Sequence, residues 1–171
     1  MNRAMRRAKK RQPAINKSCF SSHIKTLFSA STKPLEEDDV ILLTLPFSQC
    51  LADLKDGLLT SSGFVELNEF IVTAFNIARE IWLNSPQHSK ELVEPSQEVF
   101  ERASQALESI GWRCNRTGKL GATGDEINAL VEAQAWHRDL IQVSTCGIVL
   151  KALIKAEEQV TGILDKRRKT A

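Results

Sequence analysis

The sequence predicts an all-α fold, a bundle of four to five helices with a long C-terminal helix and a disordered basic N-terminal arm. Three observations carry that prediction. Apolar residues recur at helical spacing in successive segments, prolines and glycines fall mostly between those segments, and the stretch from Thr123 to Lys166 contains no proline at all. Composition agrees: 42 % hydrophobic and 26 % charged residues are ordinary for a globular chain and too apolar for a wholly disordered one.

Length and charge divide the chain in two. Its 171 residues suit one domain with a tail. Residues 1–33 carry nine Lys or Arg and no acid. Of 23 basic residues in all, 14 therefore remain against 21 acidic ones in residues 34–171, a net of −7. The expected organisation is a basic arm, 1–33, joined to an acidic helical domain, 34–171. No apolar run is long enough for a transmembrane helix and no apolar stretch near the start suggests a secretory signal, so the expected location is the cytoplasm. The cysteines at 19, 50, 114 and 146 form no CxxC pair. They read as reduced thiols, with Cys50 and Cys146 packed as small hydrophobes, rather than as a zinc site or a disulfide framework.

The arm opens with Arg3, Arg6, Arg7, Lys9, Lys10 and Arg11, is stopped as a helix by Pro13, and has no large apolar residues to fix it to a core before Ile15. From Ser18 to Ser31, Phe20, Ile24, Leu27 and Phe28 fall on one helical face with Ser21, Ser22, Lys25 and Ser29 opposite, which predicts a short amphipathic helix. Then Glu36, Glu37, Asp38 and Asp39 mark a helix start, where the dipole favours negative charge. The following segment reads as one helix kinked at Pro46 or as two short ones, ended by Gly57; a strand over Val40–Leu45 competes with that reading.

The second helix is predicted over 63–84. Phe64, Leu67, Phe70, Ile71, Ala74, Ile77, Ala78, Ile81 and Trp82 form a wide apolar face for the core, and Pro86 ends it. The third begins near Pro95 with Ser96 as N-cap and stops at Gly111, after which Trp112 is expected to pack back over the helix end. The loop "RCNRTGKLGATG" lacks the glycine order of a phosphate-binding loop. Next, Thr123 and Glu126 have the spacing of a capping box, and the chain continues helical to Lys166. Forty residues of helix would span about 60 Å, so a break is expected at "STCG", Ser144–Gly147.

Candidate sites are few. Glu66, Glu69 and Glu80 share a helix, but the Glu-x-x-His pairs of a carboxylate-bridged metal centre are missing from the sequence. Gln134, His137 and Arg138 form the most unusual polar cluster and are the candidate ligand contacts, although no nucleophile stands at a recognisable spacing. No catalytic residue, metal or cofactor is expected. The sequence favours a non-enzymatic helical interaction or accessory protein. Its arm would contact nucleic acid or an acidic protein through Arg3, Arg6, Arg7, Lys9, Lys10 and Arg11, and its long C-terminal helix would support a homo-oligomer. Two alternatives stand beside it. One is a small-ligand-binding protein or enzyme with its site around Gln134, His137 and Arg138. The other is an organelle-targeted protein whose Arg- and Ser-rich, acid-free residues 1–33 are a cleaved transit segment.

Overall fold

The structure, a computed structural model, describes residues 33–84 and 92–170, with side chains as far as Val160. The described chain is all-helical: α1 Glu37–Lys55, α2 Ser61–Asn84, α3 Glu94–Thr117, α4 Gly124–Gln142 and α5 Cys146–Thr170. The predicted arm and its amphipathic segment lie outside the described residues, apart from Lys33.

Pairs of contacts fix the directions of the helices. Phe47 stacks on Phe70 at 5.3 Å, and Cys50 Sγ lies 3.6 Å from Glu66 Oε2, so α1 and α2 run antiparallel. Phe75 meets Phe100 at 5.5 Å while Phe64 lies beside Gly111, which makes α2 and α3 antiparallel. Arg113 pairs with Glu126 and Arg102 with Glu132, closing an antiparallel hairpin of α3 and α4. Finally, the chain entering α1 is joined to the end of α4: the Cys146 amide donates to the Lys33 carbonyl at 3.1 Å and Pro34 bridges Thr145. Gln134 reaches Ser48 further along the same pair. The result is an up-down-up-down arrangement of α1 to α4, with α5 laid chiefly against α2.

The elements follow from their sequences with several corrections. α1 is one helix, not two and not a strand, with Pro46 inside it; Asp39 Oδ2 accepts the Glu36 amide at 3.2 Å at its start. α4 opens on the predicted capping box: the Glu126 amide donates to Thr123 Oγ1 at 3.3 Å, and the Thr123 amide donates to Glu126 Oε2 at 2.7 Å. The stretch from Thr123 to Lys166 is broken, as its Ser and Thr content predicts, at Val143–Thr145. Ser144 turns back to donate to the Leu140 carbonyl at 2.6 Å, and Cys146 restarts the helix.

α3 departs furthest from expectation. It passes through Gly111 and ends at Thr117, where Gly118 takes the left-handed conformation (φ 71°) and donates its amide to the Cys114 carbonyl at 2.7 Å. An interior glycine costs a helix about 1 kcal/mol relative to alanine, and here the helix continues through it with Phe64 of α2 beside that turn. Ser96 is not the N-cap; it is a buried residue inside the helix, donating to the Val93 carbonyl at 2.8 Å. Trp112 does not fold back over a helix end and is exposed, as is half of Trp82 on α2.

The core runs continuously from Phe47, Leu51 and Leu54 through Leu67, Ile71 and Ile77 to Phe100, Leu107, Ile110, Leu130 and Leu140. Cys50 and Cys146 are buried, as their apolar neighbours in sequence suggest. α2 also buries Thr73 and Asn76 on the side toward α5, and Asn76 donates to Gln159 Oε1 at 3.0 Å across that contact.

Candidate functional site

The three residues singled out on α4 sit at three different depths. Gln134 is half-buried and donates its amide to Ser48 Oγ on α1, 86 residues away. His137 is only 2 % exposed. Arg138, next in sequence, points from another side of the helix and is exposed. A helix turns by about 100° per residue, so adjacent side chains do not share a face. Gln134 and His137 share one, but it faces α1 and the core rather than solvent.

Aromatic rings wall His137. Phe47 of α1 lies 5.7 Å from the imidazole, tilted by 55°, and Phe70 of α2 lies at 6.2 Å and 48°. The two phenyl rings stack on each other, so the imidazole closes a three-ring cluster at the meeting of α1, α2 and α4. Nδ1 is fully buried and has no hydrogen-bond partner among the described residues. Burial in this apolar setting pushes the imidazole pKa down to about 4, leaving a neutral ring at neutral pH. Such a group packs well. As a base it is weak.

The carboxylates of α2 do not gather either. Glu66 is exposed and faces the Cys50 thiol, which burial first and Glu66 second push up to about 12. A thiol held in that form is a poor nucleophile. Among the described residues no three His, Cys, Asp or Glu side chains come together as a metal site requires. No described helix is long and apolar enough to cross a membrane.

A polar constellation that the sequence reading passed over lies at the α3–α4 turn. Arg113 donates Nη2 to Glu126 Oε1 at 2.6 Å, and Nη1 both to Glu126 Oε2 at 3.0 Å and to the Gly121 carbonyl at 2.6 Å. The Arg113 side chain holds the Glu126 carboxyl down at about 2, with help from the Thr123 amide. Ser109, Trp112, Arg113, Asn115 and Arg116 line a shallow depression along this end of α3. The fork is structural: it consumes the charge of Arg113 in holding the loop Gly118–Thr123. Its sequence signal was the capping box; that its glutamate also serves a distant arginine is a matter of tertiary placement.

Arg3, Arg6, Arg7, Lys9, Lys10 and Arg11, expected from the sequence to contact a polyanion, lie outside the described residues. Comparison of the chain with protein-family models, with curated proteins and with solved structures finds no match.

Proposed function

We propose that the chain is a non-enzymatic helical interaction protein in which an acidic bundle, residues 34–171, carries a basic arm, residues 1–33, that contacts nucleic acid. The charge division carries this reading: nine cations and no acid in the arm, against 14 basic and 21 acidic residues in the remainder. A cluster of that density neutralises phosphates and releases their counterions, while the acidic body repels them and leaves the arm as the contact. The burial of His137 among phenyl rings supports a packing role for the residue that an enzyme would most need.

Binding of a fluorescent duplex DNA to the full chain, measured across salt concentrations, tests the proposal. Six neutralised phosphates give a slope of log K against log salt of about −5. Replacing Arg3, Arg6, Arg7, Lys9, Lys10 and Arg11 together by Gln reduces that slope to near zero. An unchanged slope, or no binding by the parent at low salt, removes the proposal.

Self-association through α5 is a second part of the reading, favoured by the half-exposed Ile154 on that helix and Val143 just before it. Sedimentation at high concentration distinguishes a dimer from a monomer, and Ile154→Lys disperses the dimer.

A further inference from the structure

α1 is apolar on two opposite sides. Its inward side places Val40, Leu43, Phe47, Leu51 and Leu54 in the core. Directly across the helix, Ile41, Leu42 and Leu45 are 49, 49 and 58 % exposed. At about 100° per residue these three fall in one arc opposite the buried row. Helices at a bundle surface carry polar residues there, and three adjoining large aliphatics mark a face made to be covered. The stripe is confined to the first half of α1, because the exposed Gln49 continues the same side. That half is the one beside which residues 1–32 join the body.

We propose that this face is the seat of residues 18–31 of the same chain, laid antiparallel on α1. Three observations identify the occupant. Phe20, Ile24, Leu27 and Phe28 repeat at helical spacing and supply an apolar row complementary to Ile41, Leu42 and Leu45. Only residues 32–36 separate the segment from α1, a connection of a length that joins antiparallel helices, and its course is fixed where Lys33 is held by the Cys146 amide and by its ion pair with Glu36. Charge agrees: in this register Lys17 comes level with the second half of α1, where Asp53 lies at its surface.

A second copy is the rival occupant, and area argues against it. Three half-exposed aliphatics offer on the order of a few hundred Å², whereas a stable interface buries about 800 Å² per partner. A segment tethered by five residues works at an effective concentration in the millimolar range, so the same small area holds it. The inference concerns residues 18–31 of the arm and not Arg3, Arg6, Arg7, Lys9, Lys10 and Arg11, whose replacement tests the polyanion contact, so the two proposals stand or fall separately.

Cys19 provides the test. The short connection brings Cys19 opposite Gln49, an exposed residue outside the aliphatic stripe. The full chain carrying Gln49→Cys and Cys114→Ser is treated with a short bis-maleimide and digested for mass spectrometry; Cys50 and Cys146 are buried and do not compete. The expected result is a Cys19 link to position 49 within monomers, several-fold above the yield of a Glu108→Cys control on α3. Adding Leu42→Lys and Leu45→Lys lowers it to the control. Equal yields at 49 and 108, a yield insensitive to the lysines, or links found only in dimers overturn the proposal. Hydrogen exchange on chains with no added cysteine gives a second measure. The two lysines increase exchange in residues 18–31 by about ten-fold or more and leave α2 unchanged; unaltered exchange in 18–31 also overturns it.

Discussion

Arg113 forks across both carboxylate oxygens of Glu126 while the same carboxylate caps α4 by accepting the Thr123 amide. One glutamate thereby joins the end of α3, the connecting loop and the start of α4. Glu126 is held at about 2, chiefly by the Arg113 hydrogen bonds. Its folded pKa lies below its ordinary value of 4.5, so its contribution is fully present above pH 4.5 and is lost as pH falls through about 2. The pair is partly open to solvent, which reduces the contribution to roughly 1–2 kcal/mol. Glu126→Gln should lower unfolding free energy at pH 7 by that amount in urea titrations and flatten the decline below pH 4.5. A variant as acid-sensitive as the parent would contradict this account.

His137 also loses stability as pH falls, but in a higher window. Its folded pKa, about 4, is depressed from 6.5, so the unfolded chain takes up the proton first as pH falls. Stability is full above pH 6.5 and declines between 6.5 and about 4, by roughly 3 kcal/mol for a shift of this size. His137→Leu fits the same apolar cluster without a buried, unpaired nitrogen. It should be neutral or stabilising at pH 7 and should lack the decline between pH 6.5 and 4. Urea unfolding at pH 7 and pH 4.5 measures both. Persistence of the full decline in the variant would show that another group causes it.

Two aromatic residues of α3 should behave very differently. Phe100 is fully buried against Phe75, and Phe100→Ala should cost about 3–5 kcal/mol through lost burial and the cavity left behind. Trp112 is 70 % exposed, so Trp112→Ala should change stability by no more than about 0.5 kcal/mol. Thermal unfolding of the pair checks the placement of α3; a large loss at Trp112 would mean that the residue is covered after all.

The contact between α2 and α5 contains a directed polar link. Asn76 is buried and spends its amide on Gln159 Oε1. Asn76→Ala should cost about 1–3 kcal/mol, because truncation removes the bond and opens space in a packed face. Asn76→Ala and Gln159→Ala combined should cost less than their separate effects added together, which a double-mutant cycle reads directly. Strict additivity would show the bond to be energetically idle.

What could be read in the sequence is what depends on near neighbours. The Thr123 capping box spans four residues, and the break after Gln142 follows from Ser144 and Thr145 themselves. Both are legible because the partners lie within one turn. Gly111 reads locally as the end of α3, whereas in the fold the helix runs six residues further with Phe64 of α2 beside that glycine. The same local reading misplaces Trp112. His137 shares a helical row with Leu130 and Ile141, but Phe47 and Phe70 come from two other helices, and only assembly shows the imidazole as a dry third ring. The Gln134 to Ser48 bond is invisible in sequence for the same reason.

The link between Lys33 and Cys146 depends on the packing of the helices around it. It closes a loop of more than a hundred residues with one backbone hydrogen bond and one isolated bridge, and closing so long a loop costs more entropy than those contacts return alone. It therefore holds only while α1 and α4 are packed together, so that exchange of the Cys146 amide reads the integrity of that packing.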